Sequence, residues 1–284
     1  MKSFRFLHIS DTYILKSYDG SLLEAFTGSN GETPDDSMKK AADYMRTQCS
    51  DLDFVVISGD LVHEGNADDY AHFKALLERC FPDTQLYLCI GNHDRRAAFN
   101  EGYLCIGNNS APYYYAREHK NTGLRIIALD SSYDNSGNGK LDEEQLSWLR
   151  SELKNTAAEG TILVIHHPPF MLDSDPLTAA RALINSTELF DAIKDSDIFA
   201  ILSGHTHQAN ATVFGGIPHY TADSTAFGVT FDNESMSMDN SVGLVSCAAQ
   251  NRTLAAKHIA YTLDTVPRYS ISIEKLMEMM QRNV

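Results

Sequence analysis

Phe54-Val-Val-Ile-Ser58 runs without a break into Gly59-Asp60, and Leu86-Tyr-Leu-Cys-Ile90 runs likewise into Gly91-Asn92-His93-Asp94. Each is a short apolar run halted by glycine, the pattern of a buried strand. Three more runs repeat the arrangement. Arg5-Phe-Leu-His-Ile-Ser10 ends in Asp11, Ile162-Leu-Val-Ile165 in His166-His167-Pro168-Pro169, and Ile198-Phe-Ala-Ile-Leu202 in Ser203-Gly204-His205-Thr206-His207. In α/β sheets the ligand site lies beyond the carboxyl ends of such strands. Five strands that bring carboxylate, amide and imidazole to one edge build a site for hard divalent ions, which favour these donors over thiolate. Each residue alone has a blander reading. Aspartate after a strand is often a helix cap, asparagine a turn residue, and a buried histidine a satisfied core group. A fold without an ion has no use for two carboxylates and three imidazoles converging on one edge.

Between these strands the helical patterns alternate in the βαβ manner. Thr33-Pro34-Asp35-Asp36 starts a helix through Met38, Ala41, Ala42 and Met45, and Asp68-Asp69 opens another through Tyr70, Phe73, Leu76 and Leu77. A short helix follows Asp94, and others are expected over 142–155 and near 186–194. Hairpins are expected over 112–117 with 124–130, 212–214 with 218–221, and 242–249 with 253–261. The predicted fold is α/β (α+β by some schemes): a sandwich of two mixed sheets with helices outside. Residues 1–262 read as the catalytic domain and 263–284 as a C-terminal extension, in which Ser272–Met280 has the spacing of an amphipathic helix. That helix would cover the body or the partner subunit of a homodimer.

The 284 residues, 43% of them hydrophobic, suffice for one large α/β domain. No stretch approaches the ~18 consecutive apolar residues of a membrane span. Met1-Lys2-Ser3 leads directly into the first strand with no signal-peptide pattern, so a cytoplasmic protein is expected. A net charge of −15 argues against binding a nucleic-acid polymer, which needs clustered Lys and Arg. It does not argue against a small phosphodiester, because two ions reverse the sign of a pocket locally. The five cysteines stand in no metal-ligand spacing and read as free thiols of a reducing compartment.

The order Asp11, Gly59-Asp60, Gly91-Asn92-His93-Asp94, His166 before Pro168-Pro169, and Gly204-His205-Thr206-His207 resembles the calcineurin-like metallophosphoesterase superfamily. Within it the chain is most similar to the class III cyclic nucleotide phosphodiesterases and related glycerophosphodiesterases. The resemblance covers residue 4 to about 222, and Leu141–Leu149 resembles the helix these enzymes carry before the His-Pro motif. It implies two divalent ions (Mn, Fe or Zn). Asp60 would bridge them, Asn92, His166 and His205 would complete the second ion's set, and Asp11 and His207 would bind the first. It also implies in-line attack on a phosphodiester by a metal-bound hydroxide. His93 would protonate the leaving oxygen or stabilise transition-state charge, Asp94 would orient the His93 ring, and His167 would stand behind the ligands or face the substrate.

One position departs from the family pattern. Asp11-Thr12-Tyr13 carries tyrosine where the family has histidine. A phenol, with a pKa of ~10, must ionise before it binds an ion well. Three answers are open. Tyr13 acts as phenolate on ferric iron, or the first position is weak or empty, or another residue supplies the missing imidazole. The purple acid phosphatases, distant members that also lack this histidine, place a tyrosine ligand three residues after the bridging aspartate. Here that position is His63, and the expectation is that His63 ligates the first ion while Tyr13 faces the substrate.

Substrate recognition is expected on the loops 14–35, 132–140 and 170–185. Arg95, Arg96, Arg181 and His219 are candidates to meet a phosphate or base, although surface salt bridges are the commoner fate of such residues, and Tyr113-Tyr114-Tyr115 is a candidate aromatic face that reads more readily as an alternating strand. The expected function is hydrolysis of small phosphodiesters, 3′,5′-cyclic nucleotides foremost. The alternatives are a broad phosphomonoesterase on the same ions and an inactive metal-binding scaffold.

Overall fold

The structure, a computed structural model, describes residues 2–26, 32–48, 52–120, 122–133, 136–170, 182–231, 234–260 and 269–282. Arg181 and most of the 170–185 rim lie outside the described residues. The apolar runs form the strands of two facing mixed sheets. In the first, β1 (Ser3–Ile9), β2 (Phe54–Ser58) and β3 (Gln85–Cys89) are parallel. β12 (Gly243–Gln250) and β13 (Thr253–Ala260) extend it antiparallel, in the order β13-β12-β1-β2-β3. The second sheet combines β4 (Tyr115–Glu118), β5 (Leu124–Leu129), β6 (Gly160–Ile165), β7 (Ile198–Ser203), β8 (Asn210–Phe214) and β9 (Ile217–Thr221). Its order is β4-β5-β6-β7-β9-β8, with its middle strands parallel and an antiparallel strand at each edge.

Strand alternation divides the core into layers. Phe4, Phe6, Phe54 and Val56 face inward and meet Ile126, Ala128, Ile162 and Val164 across the sandwich. Phe6 stacks on Phe54 with ring centroids 4.6 Å apart, and each such burial contributes about 1.5–3 kcal/mol. Their neighbours Leu7, Ile9, Val55 and Ile57 face outward beneath α1 (Pro34–Gln48), α2 (Ala67–Cys80) and α3 (Arg96–Gly102). On the opposite outer face Ile127, Leu129, Leu163 and Ile165 pack under α4 (Glu143–Glu152) and α5 (Ser186–Ile193). The expected two-sheet sandwich with outer helices is the observed one.

Two details differ from expectation. α2 starts earlier than Asp68-Asp69 because Asn66 caps it, accepting from the Asp68 and Asp69 amides while Asp69 answers the Asn66 amide. A third, antiparallel sheet was not anticipated: β10 (Gly228–Phe231), β11 (Ser235–Asp239) and β14 (Tyr269–Ser272), in the order β10-β11-β14. Ser235-Met-Ser-Met-Asp239 alternates correctly but lacks the β-branched residues that mark strands. The helix that follows, α6 (Ile273–Arg282), is therefore reached through a strand that pairs with β11. The tyrosine run takes the structural role that an alternating strand implies. The Tyr115 hydroxyl accepts from Leu88 N and donates to Leu88 O, closing part of the β3 edge, while Tyr113 packs on Phe99 and Tyr114 on Trp148.

His219 does not reach a substrate pocket. It is buried in β9, with Nε2 2.6 Å from Ser203 Oγ and Nδ1 2.8 Å from Thr212 Oγ1. Burial lowers its pKa to about 4. His8, with Nε2 2.8 Å from Ser58 Oγ, is lowered to about 3 by burial and then by the charge on His219, with Asp11 opposing. Both are neutral in the fold, whereas the unfolded chain protonates them near pH 6.5. The unfolded state thus binds more protons below that pH, so stability is complete above about 6.5 and falls as pH drops toward 4. The slope is about 1.4 kcal/mol per pH unit for each histidine. In urea unfolding of ion-free protein between pH 6.5 and 4.5, His219→Gln is expected to flatten the acid-side slope by about that amount. Equal slopes would contradict a neutral buried His219.

Candidate metal centre

The parallel strands β1, β2, β3, β6 and β7 all finish at one end of the sandwich, and the residues after them are laced together through the backbone. Asp11 N donates to Gly59 O, Tyr13 N to Asp60 O and Ile14 N to Leu61 O, each at 3.0 Å. Gly204 N donates to His166 O at 3.0 Å and joins the ends of β6 and β7. His166 continues the inward alternation of Ile162 and Val164, and His167 takes the outward place. His166 therefore crosses between the sheets, with Nδ1 2.8 Å from Ser58 O. A carbonyl only accepts, so Nδ1 carries hydrogen and Nε2 faces the site. The same device fixes His207, whose Nδ1 lies 2.9 Å from Phe227 O.

Around His166 Nε2 stand Asn92 Oδ1 at 3.1 Å, His205 Nδ1 at 3.2 Å and Asp60 Oδ2 at 3.3 Å. A second set adjoins the first through Asp60. His207 Nε2 lies 3.4 Å from Asp11 Oδ1, and the Tyr13 hydroxyl lies 2.9 Å from Asp60 Oδ2 and 3.2 Å from His207 Nε2. Asp11 Oδ1 is buried with no hydrogen-bond partner, a cost that a bound cation removes. Donors bound at about 2.0–2.2 Å, with angles of about 90–110° between them, sit about 2.8–3.6 Å apart, which these separations match. The residues fit ions in both positions. Gly91 makes the approach possible, because a Cβ there would overlap Asp60 Oδ1 and His166 Nε2. Gly59, at φ +95°, supplies the sharp turn before Asp60.

Against burial, His166 and His93 hold the Asp60 carboxyl well below the usual range. Burial likewise opposes the His166 shift, but the Asp60 carboxylate raises its imidazole to about 9. Burial, with the charge on His166, drives His167 well below its ordinary value and keeps it neutral. Its Nδ1 is 2.8 Å from Ser131 Oγ, and its Nε2 has no hydrogen-bond partner. His166, His167 and His205 bring ring nitrogens within 4.8 Å of one another.

His93 is anchored by its amide, which donates to Asp60 Oδ1 at 2.9 Å, and its ring stays partly open to solvent. Burial lowers its pKa, but Asp60 and Glu64 prevail and raise it. Asp94 does not orient this ring as expected. Its carboxylate accepts from the Gly91, Leu61 and Val62 amides and the Tyr70 hydroxyl, at 2.8–3.1 Å. It ties the turn after β2 to the turn after β3, while burial and the Asp60 charge raise its pKa to about 7. Glu64 stands on the Nδ1 side of the His93 ring, with Oε1 3.8 Å from Nδ1. The His93 imidazole, foremost, holds Glu64 down to about 2.

His63 makes no hydrogen bond or ion pair with either donor group, and its Nδ1 is buried with no hydrogen-bond partner. Its ring lies 5.5 Å from that of Tyr13 and 5.0 Å from that of His93, along a groove that Lys16, Glu64 and Arg95 also line. Arg96 is occupied with Asp130, through Nε and Nη2, and with Ser132 O. Sequence reasoning missed Glu64, Ser131, Ser224 and Phe227. Ser224 Oγ donates to Asp11 O at 2.8 Å, and Phe227 fixes His207 through its carbonyl. Backbone contacts of this kind leave no mark in side-chain identity.

A protonated His166 must lose its proton to become a ligand. Ion binding at neutral pH is therefore expected to release protons, with affinity rising as pH rises. Calorimetric titration of Zn²⁺ at pH 7 in buffers of different ionisation enthalpy measures this. Buffer-independent heats would contradict it.

A family model described as Calcineurin-like phosphoesterase matches residues 4–209. A "Probable cyclic nucleotide phosphodiesterase" of Rhodococcus erythropolis is 34% identical over 223 residues, 78% of this chain and 70% of the relative. A "cAMP/cGMP dual specificity phosphodiesterase" of Mycobacterium tuberculosis is 32% identical, over 78% of this chain and 67% of its own. Among solved structures, a purple acid phosphatase from yellow lupin superposes with a TM-score of 0.66 at 14% identity, over 95% of this chain and 54% of that one. A dimetal phosphatase from Danio rerio gives 0.57 at 16% identity, over 91% and 99%. The two structures speak for the fold alone. The family model, which spans well over half the chain, carries the conclusion that this protein belongs to the calcineurin-like phosphoesterase family and is a metal-dependent hydrolase of phosphoric esters.

Proposed function

We propose that the protein hydrolyses small phosphodiesters, 3′,5′-cyclic nucleotides foremost, with Asp11, Asp60, Asn92, His166, His205 and His207 holding two divalent ions. The observation that carries this reading is the pair of donor sets sharing Asp60, with His93 held beside them by its own amide. The names of the sequence relatives support the substrate class. Bound ions supply Lewis-acid polarisation of the phosphoryl oxygens and lower the pKa of water from 15.7 to about 7. The chain's own residues do the rest. His93, whose pKa Asp60 and Glu64 raise against burial, donates a proton to the departing ester oxygen. With Glu64 on the Nδ1 side, Nε2 is the nitrogen that serves the substrate. His167, kept neutral by burial, packs behind the ligands with its ring 4.5 Å from that of His205. The groove along Lys16, His63 and Arg95 receives the remainder of the substrate.

To this reading also belong a cytoplasmic location, a homodimer, and a division into a catalytic domain, 1–262, and an extension, 263–284. Free cysteines at 80, 89, 105 and 247 agree with a reducing compartment. Among the described residues no helix is long and apolar enough to cross a membrane.

Two experiments test the reading. With Mn²⁺ present, cyclic AMP and bis-p-nitrophenyl phosphate are expected to be turned over faster than p-nitrophenyl phosphate. Preference for the monoester would favour a phosphomonoesterase, and no turnover of any would favour a scaffold. His93→Ala is expected to lower kcat by about 10²–10⁴-fold with metal content unchanged, whereas Asn92→Ala loses metal. Equal metal loss in both variants would make His93 a ligand rather than an acid.

A further inference from the structure

Tyr13 stands where the family pattern has a histidine, and the geometry gives it a definite task. Its hydroxyl oxygen is 2.9 Å from Asp60 Oδ2 and 3.2 Å from His207 Nε2, and His207 Nε2 is 3.4 Å from Asp11 Oδ1. These are the separations of neighbouring donors around one ion at bonds of about 2.0–2.2 Å. The side chain is buried, with its ring among His207, Phe227 and His93 at centroid distances of 5.1–5.4 Å. Its backbone is left-handed, φ +48°, an outlier for a bulky residue, and is pinned there by the hydrogen bond from its amide to Asp60 O. Strain of this kind costs about 1–3 kcal/mol and persists where a side chain must be aimed. A tyrosine that merely filled the core would gain nothing from it.

Resting on the metal-dependent reading above, but replacing its first divalent ion by a trivalent one, we propose that Tyr13, not His63, is the fourth protein ligand of the first ion, bound through its phenolate oxygen, and that this makes the first position selective for a trivalent ion such as Fe(III). The phenolic O–H bond breaks, the proton passes to solvent, and the oxygen pair forms the bond to the ion. No electron is transferred when iron is supplied as Fe(III). The charge balance follows from the donors. The first set then holds the carboxylates of Asp11 and Asp60, the Tyr13 phenolate and one neutral imidazole. The second has only the shared Asp60 charge, with Asn92, His166 and His205 neutral. Hard anionic oxygens favour the ion of higher charge, so the two positions take unlike ions, trivalent first and divalent second.

The test is reconstitution of chelator-stripped full-length protein with Fe(III) citrate and Zn²⁺. Metal content is read by elemental analysis and the phenolate by visible absorption and resonance Raman. The expected result is iron and zinc in equal amounts with a phenolate-to-iron charge-transfer band. Tyr13→Phe is expected to lose the band completely while keeping zinc. Tyr13→His is expected to keep a folded protein, shown by circular dichroism, with no band and with a divalent ion replacing iron. His63→Ala is expected to keep both band and iron. Iron bound without a band, or a band that survives Tyr13→Phe, overturns the Tyr13 assignment and leaves the hydrolase reading standing. Iron lost from His63→Ala restores His63 as the ligand. Failure to take up either ion overturns both.

Discussion

Everything in this site depends on one carboxylate held where the two sheets meet. Asp60 belongs to the first sheet, at the end of β2, and its closest imidazole, His166, belongs to the second, at the end of β6. That contact is possible only because the sandwich core sets the distance between sheets and strand alternation turns His166 inward. Small inward residues beside it, Ser58 and Gly91, leave room for the ring. The core is therefore not a passive support. A change in the packing of Phe6, Phe54 or Val164 would alter the Asp60–His166 separation before it touched any donor.

The backbone pays for this convergence. Asp11, Tyr13, Asp60, His205 and His207 all have φ between +48° and +74°, although none is glycine. Aspartate tolerates the left-handed region moderately and tyrosine poorly. The conformations are over-determined by bonds that cross between loops. Asp11 Oδ2 accepts from the His205 amide at 2.9 Å, Asp60 Oδ1 from the His93 amide, and Asp60 O from the Tyr13 amide. Two site carboxylates thus each hold a neighbouring loop with one oxygen and present the other to an ion. Asp94 performs the purely structural version of the same task. Its four hydrogen bonds bind the β2 and β3 turns, and none serves the chemistry directly.

Most of the fold could be read from period and punctuation. The strands ending in Ser58, Cys89, Ile165 and Ser203 are apolar, short and closed by glycine or proline, so their type, order and burial follow from residue identity. The small third sheet could not be read, because Ser-Met alternation is a weak strand signal and its partner β14 comes from the distant C-terminal segment. At the site, donors that follow strands directly were legible, since the strand fixes where they emerge. Residues whose role depends on side-chain reach across loops were not. His63 lies close to Asp60 in sequence, yet the turn carries its ring toward the Arg95 groove, while the strained turn after Asp11 delivers the Tyr13 hydroxyl to Asp60. Asp94 follows His93 directly, yet adjacent residues diverge on a turn, and the carboxylate beside the His93 ring comes from Glu64.

The same geometry explains why chemistry is easier to read than substrate. The ion-binding ends are bound to strand register and cannot shift without losing the site. The groove beside them is lined by exposed groups with small commitments. Arg95 pairs with Glu64 at 3.2 Å, but both side chains are more than half exposed, and such a pair is worth about 0–1 kcal/mol. Arg95 can therefore leave Glu64 for a substrate phosphate at little cost. Arg96 cannot, because it holds a buried Asp130 through two nitrogens and a backbone carbonyl besides. Two adjacent arginines of identical chemistry thus differ in availability through their partners alone. Of the two, only Arg95 is free to distinguish one phosphodiester from another.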